Sequence, residues 1–165
     1  MTGENKAIDK QTQVRIKTLI DNHRWAALAT LGKSGPEVSW VAYVAESDWS
    51  GLLLNISQLA AHTRNLLHDP RASLAVTETE RAGCDPQQLA RLMMDGGVTV
   101  IPRTAADYEI AVERYQAALP MSKRLFGFSD FILMRFQPLR VRFVGGFAQS
   151  YTLSPAALQT IGLGV

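Results

Sequence analysis

Residues 25–56, WAALATLGKSGPEVSWVAYVAESDWSGLLLNI, carry three apolar runs separated by two short turns. Trp25 to Leu31 leads into GKSGP. Val38 to Ala45 follows, rich in β-branched and aromatic residues, and SDWSG turns the chain again before Leu52 to Ile56. Runs of this composition, punctuated by Gly, Pro, Ser and Asp, read as strands. Links this short join antiparallel neighbours, because a parallel pair needs a crossover of roughly a dozen residues. The stretch therefore predicts a hairpin extended by a third strand. Alternation along the second run puts Ser39, Val41 and Tyr43 on one face and Trp40, Ala42 and Val44 on the other. One of those faces is free to lie against a flat ring, with backbone groups reading its edge. Trp25, Trp40 and Trp49 suit core or barrel-end positions better than stacking platforms.

Before the hairpin, Ile16, Leu19 and Ile20 recur at helical spacing in an otherwise polar stretch, predicting an amphipathic helix from Lys6 to Asn22. His23 falls where a cation favours a helix C-terminus. After it, Arg71 to Thr79 reads as a fourth strand and TERAGCDPQQ as a polar loop. Leu89 to Ile101 is a long strand whose Asp95-Gly96-Gly97 permits a bulge. Ala105 to Leu119 is a helix offering Tyr108, Ile110, Val112 and Tyr115 for burial, stopped by Pro120. Asp130 to Phe136 and Val141 to Phe147 read as two strands around a QPLR turn, and the tail from Leu153 to Val165 has no evident place. Six or seven hairpin-linked strands with few helices predict a mainly β, α+β architecture, a closed or partly closed antiparallel barrel.

The 165 residues suit one domain, are 47% apolar and 19% charged, and carry a formal charge of +2. No Lys/Arg run marks a nucleic-acid footprint or a polybasic membrane patch. The polar N-terminus MTGENKAIDK offers no apolar core for a signal peptide, and no apolar run approaches membrane-spanning length, so a soluble chain is expected. The single Cys84 excludes an internal disulfide and fits a reducing, cytoplasmic setting. No nucleic acid and no membrane are expected as partners.

One stretch concentrates chemistry: SQLAAHTRNLLHDP, residues 57–70. Ser57, His62, Thr63, Arg64 and Asn65 supply neutral donors and one permanent cation, a mixture that suits a phosphate. They equally suit a surface helix capped by Ser57, with Leu59, Leu66 and Leu67 facing the core and Asp69-Pro70 ending it. GKSG at 32–35 is no P-loop, since Ala27 stands where the first Walker glycine is needed and a strand follows. His23 and His68 lie near helix ends and are assigned no role. No Ser-His-Asp or Cys-His pairing shows at a telling spacing.

The order of these pieces resembles the pyridoxamine 5′-phosphate oxidase-like flavoprotein superfamily. Its heme-utilisation (HugZ-type) branch is the closer likeness, on HTRNLLHDPRASL and the late VRFVGGF, across about residues 10–150. The resemblance implies a split β-barrel of the FMN-binding type that forms a homodimer with FMN at the subunit interface. It further implies an FMN-dependent oxidoreductase of unidentified small-molecule substrate. Ser39, Trp40, Val41 and Ala42 would line the isoalloxazine ring. Ser57, His62, Thr63 and Arg64 would hold the phosphate, Asn65 would brace that loop, and Arg91 would stand near the flavin. No catalytic residue or metal site is implied. Two departures stand out. Ala61-His62 replaces an Arg-Lys pair of the vitamin B6 oxidases, and VGGFAQSYTL replaces their Arg- and His-rich substrate motif, so oxidation of pyridoxamine phosphate is not expected. Heme binding or degradation on the same barrel is the alternative. The C-terminal histidine thought to ligate iron in heme-degrading relatives has no counterpart after His68, which leaves His62 or a non-histidine ligand. A cofactor-free dimeric binding or storage module is a third reading.

Overall fold

The computed structural model describes residues 8–147 and 149–164. Helix α1 (Lys10–Asn22) opens with Asp9 as its cap, the carboxylate accepting from the Thr12 N–H at 2.7 Å. Lys6 and Ala7, where the helix was expected to begin, lie outside the described residues. Ile16, Leu19 and Ile20 are buried as the spacing predicts. His23 ends the helix with Nδ1 2.8 Å from the Leu19 carbonyl.

The hairpin forms as read: β1 (Trp25–Gly32) and β2 (Gly35–Ala42) pair from Trp25↔Ala42 to Gly32↔Gly35, with Lys33 and Ser34 at the turn. The expected strand to Ala45 is broken at Tyr43, whose N–H bonds to the Arg24 carbonyl; β3 (Val44–Ala45) then pairs instead with β4 (Leu52–Ser57). After α2 (Ala61–His68) come β5 (Arg71–Thr77), β6 (Arg91–Val100), α3 (Tyr108–Ala118), β7 (Phe131–Val144), β8 (Ser150–Leu153) and α4 (Pro155–Gly162). The sheet runs β2-β1-β5-β6-β7-β4-β3, with β8 added to β7, and every pairing is antiparallel. Its two ends, β2 and β3, are consecutive in the chain, so the sheet curls into a barrel left open between β2 and β4.

The two strands expected around QPLR are one continuous β7. A bulge makes this possible, at the level of Asp95-Gly96-Gly97 as expected but carried by β7: Asp95 pairs with Arg140 and Gly96 with Pro138, which lacks an N–H, so Leu139 is the extra residue. A Cβ on Gly96 would lie 2.1 Å from the Gln137 carbonyl oxygen, so the close approach requires glycine. The unplaced tail supplies the last residue of β8, Leu153, and all of α4, whose Leu158 and Ile161 are buried in the core; Val165 lies outside the described residues. Three further burial expectations fail. Ile110, Leu59 and Leu67 are 69%, 76% and 52% exposed.

Inward-facing residues of the barrel, with α1, α4 and Leu66 of α2, form the main core. A second cluster of Val44, Leu53, Ile101, Tyr108, Ala111, Tyr115 and Leu133 packs α3 on the outer face of β3, β4 and β7. Among the described residues, no such cluster covers the outer face of β2, β1, β5 and β6. Trp25, Trp40, Val38 and Leu31 are exposed there, a larger apolar area than scattered surface residues leave.

Candidate functional site

The second strand divides its residues between the two sides of the sheet. Val41 is in the core at 3% exposure, and Ser39 points the same way, its hydroxyl buried without a hydrogen-bond partner. Trp40 points outward, 53% exposed, and stacks on Trp25 with ring centroids 6.2 Å apart and planes 9° from parallel. Ala42 is half-buried, its carbonyl accepting from the Tyr115 hydroxyl at 3.4 Å. So Trp40 and Ala42, but not Ser39 and Val41, reach the outer surface. Trp25 and Trp40 form an uncharged aromatic shelf instead of filling a core; Trp49 alone is buried.

Ser57 does not cap α2. Its hydroxyl donates to Asp130 Oδ2 at 2.5 Å and accepts from the Leu59 N–H at 3.1 Å, which tightens the turn before the helix. The cap position belongs to Ala60, which offers no side-chain bond. Thr63 is fully buried, its hydroxyl unpartnered. Arg64 is exposed and turns back, Nη1 donating to the Leu59 carbonyl at 2.5 Å. Asn65 ties the helix to the hairpin, its amide donating to Thr30 Oγ1 at 3.1 Å and Glu37 Oε2 at 2.9 Å. It braces, as expected, but braces against a carboxylate. His62 is half-buried and makes no side-chain hydrogen bond with any described residue. Burial holds its pKa below the ordinary imidazole value, which favours the neutral ring.

Arg91 stands apart from these residues. It begins β6, six residues from Gly97, which pairs with Arg71 just beyond the end of α2. That is about 20 Å along a strand. Its guanidinium lies 3.4 Å from the Leu89 carbonyl.

The structure adds residues that local pattern did not mark. Asp130 and Glu37 place carboxylates on either side of α2. Asn55, 7% exposed on β4, keeps both amide atoms without a partner among the described residues, as do the Ser39 and Thr63 hydroxyls. Ser39, Asn55 and Thr63 thus carry orphaned polar atoms on elements bordering the open side of the barrel, each costing about 1–3 kcal/mol of desolvation. Two recesses flank the region. One of about 680 Å³ lies between the hairpin tip and α2, lined by Lys33, Glu37, Arg64, Asn65 and His68 among others. One of about 590 Å³ lies on the bare outer face, walled by Ala29, Leu31, Pro36 and Leu139 with Arg71 and Arg140 at its rim. Both arginines are already engaged, Arg71 with Asp69 and Arg140 with Asp95. Among the described residues no cluster of three metal-ligating side chains occurs, and no helix is long and apolar enough to cross a membrane.

An antiparallel barrel split between its second and fourth strands, with a short helix following the fourth, defines the class: a split-barrel fold. The pyridoxamine 5′-phosphate oxidase family matches residues 13–145, and the chain belongs to that family. Within it the likeness is to the heme-utilisation branch. Heme oxygenase HutZ of Vibrio cholerae is 26% identical over 153 residues, covering 92% of this chain and 86% of the relative. The chloroplastic non-canonical heme oxygenase HOZ of Arabidopsis thaliana is 28% identical across 90% of this chain, which spans 44% of that protein. The structure of a heme-binding protein from Mycobacterium smegmatis superposes with a TM-score of 0.80 at 28% identity. It covers 93% of this chain, which spans 62% of it.

These relatives overturn the FMN oxidoreductase expected from the superfamily resemblance. The geometry agrees with the correction. A flavin phosphate needs free donors and positive charge, yet Ser57 donates to Asp130, Asn65 to Thr30 and Glu37, and Arg64 to a carbonyl. His62 favours its neutral form. Two of the residues expected to serve the phosphate, Ser57 and Asn65, are thus engaged with carboxylates instead.

Proposed function

We propose that this chain binds heme for heme utilisation, at the seam of a homodimer formed by the bare outer face of the barrel. The observation that carries this reading is that the two heme oxygenases match nine-tenths of the chain or more. The local chemistry supports it. The Trp25–Trp40 shelf suits one wall for a flat apolar macrocycle. His62, half-buried, without a hydrogen-bond partner among the described residues and with its pKa held below the ordinary imidazole value by burial, would hold the iron through a ring nitrogen. When bound, heme supplies an iron centre for oxygen chemistry. His62 would hold the iron, and since α2 packs on the Thr30 and Glu37 side of the hairpin, opposite Trp25 and Trp40, the shelf that would cover the ring and exclude water would come from the second copy. A second copy supports the same geometry, since covering the exposed tryptophans stabilises an interface and closes the seam. A cytoplasmic setting fits the free, exposed Cys84.

The test is hemin titration of the purified protein. The expected result is a saturable Soret band that His62→Ala weakens or shifts while far-UV circular dichroism stays unchanged. Adding a reductant in air then separates degradation, seen as loss of the Soret band, from storage, seen as its persistence. No Soret change on hemin addition refutes the reading.

A further inference from the structure

Two of the donors that the 57–65 stretch would offer a phosphate, the Ser57 hydroxyl and the Asn65 amide, are engaged within the chain, each with a carboxylate. Ser57 has one hydroxyl proton, and it goes to Asp130 Oδ2 at 2.5 Å. Asp130 is fixed there by a second contact, its carbonyl accepting from the Gln58 N–H at 2.7 Å. That contact continues the β4–β7 ladder one step beyond Ser57↔Phe131. On the other side of α2, Glu37 accepts from Asn65 at 2.9 Å. Against these two negative charges the stretch sets only Arg64, whose guanidinium lies 2.5 Å from the Leu59 carbonyl oxygen.

We propose that Asp130 is a specificity-determining residue: a built-in anion that takes the Ser57 donor and bars phosphate-tailed flavins from this split barrel. A phosphate monoester carries close to two negative charges near neutral pH. Entering beside Asp130, it would meet a like charge at short range and find Ser57 already donating elsewhere. Flavin without the phosphate meets neither obstacle. Asp130 therefore acts on the tail and not on the ring, and a family scaffold is turned away from FMN by one carboxylate 73 positions along the chain from the serine it holds.

The experiment compares FMN with riboflavin by flavin fluorescence quenching, on the wild-type chain and on two variants. Asp130→Asn removes the charge and keeps the shape; Asp130→Ala also frees the Ser57 hydroxyl. The expected result is at least tenfold tighter FMN binding in Asp130→Asn, tighter still in Asp130→Ala, with riboflavin changed less than about twofold. The wild-type chain should favour riboflavin over FMN, by a margin that narrows as salt screens the repulsion. FMN affinity unchanged in folded variants overturns the proposal, as does an equal gain for riboflavin. Preference of the wild-type chain for FMN overturns it without any variant. The proposal does not rest on heme binding: a protein that ignores hemin still passes or fails each of these arms.

Discussion

Replacing Trp40 with alanine tests the bare sheet face directly. Trp40 is 53% exposed. A tryptophan side chain carries roughly 150–250 Å², so about 80–130 Å² remains for a partner to cover. At about 25 cal/mol per Å² that is about 2–3 kcal/mol per copy. A two-fold dimer loses the contact twice, about 4–6 kcal/mol in all. Ordering two tryptophans at the interface costs about 2 kcal/mol, leaving a net of about 2–4 kcal/mol. The dimer dissociation constant should therefore rise about 30- to 1,000-fold. The isolated fold should lose only the stack on Trp25, about 0.5–1.5 kcal/mol. Sedimentation velocity across a concentration series measures the first quantity and thermal unfolding of the dilute protein the second. A dissociation constant that moves less than about threefold in a folded variant refutes the assignment of this face, and a wild-type chain that is monomeric at every concentration does so outright.

His62→Ala should flatten part of the acid dependence of stability. Burial lowers the folded-state pKa, so just below the usual value of about 6.5 the unfolded chain binds more protons than the folded one, and stability falls as pH drops through that window. Denaturant unfolding between pH 7 and 5.5 should show a smaller loss in the variant. Gly96→Ala should cost about 1–3 kcal/mol, because the new Cβ meets the Gln137 carbonyl oxygen at 2.1 Å and backbone cannot yield cheaply; a melting temperature within a degree of wild type would contradict the bulge. Arg135→Met should leave Glu46 and Asp107 without their shared guanidinium, now 2.8 and 2.7 Å away, and destabilise by about 1–3 kcal/mol. The Asp107 carboxyl, held below its ordinary range chiefly by the Arg135 hydrogen bond, should move back up when followed by NMR titration.

The local periodicities that predict β1, β2, β4, β5 and β6 survive in the structure because hairpin turns and alternation act between residues a few positions apart. Asp95-Gly96-Gly97 likewise marks the level of the irregularity, since glycine in a strand allows close backbone approach. QPLR misleads for the same local reason: it has turn composition, and only pairing with β6 keeps β7 extended through it, Leu139 being taken up as a bulge. Tail residues 153–164 carry too little pattern to be placed alone; Leu153 closes β8 and the rest supply α4 once β7 and the core offer them a surface.

The sequence by itself determined that this chain forms an antiparallel barrel of the pyridoxamine 5′-phosphate oxidase family, because strand period, turn residues and the HTRNLLHDPRASL phrase are all read over short spans. It also marked residues 57–65 as chemically dense. Only the tertiary structure decided what that density does. Ser57 meets Asp130 from 73 positions away, and Asn65 meets Thr30 and Glu37 from 35 and 28. A hydrogen bond depends on where two atoms end up in space, so Ser57 and Asn65, free donors in the sequence, became once folded donors already engaged with distant residues.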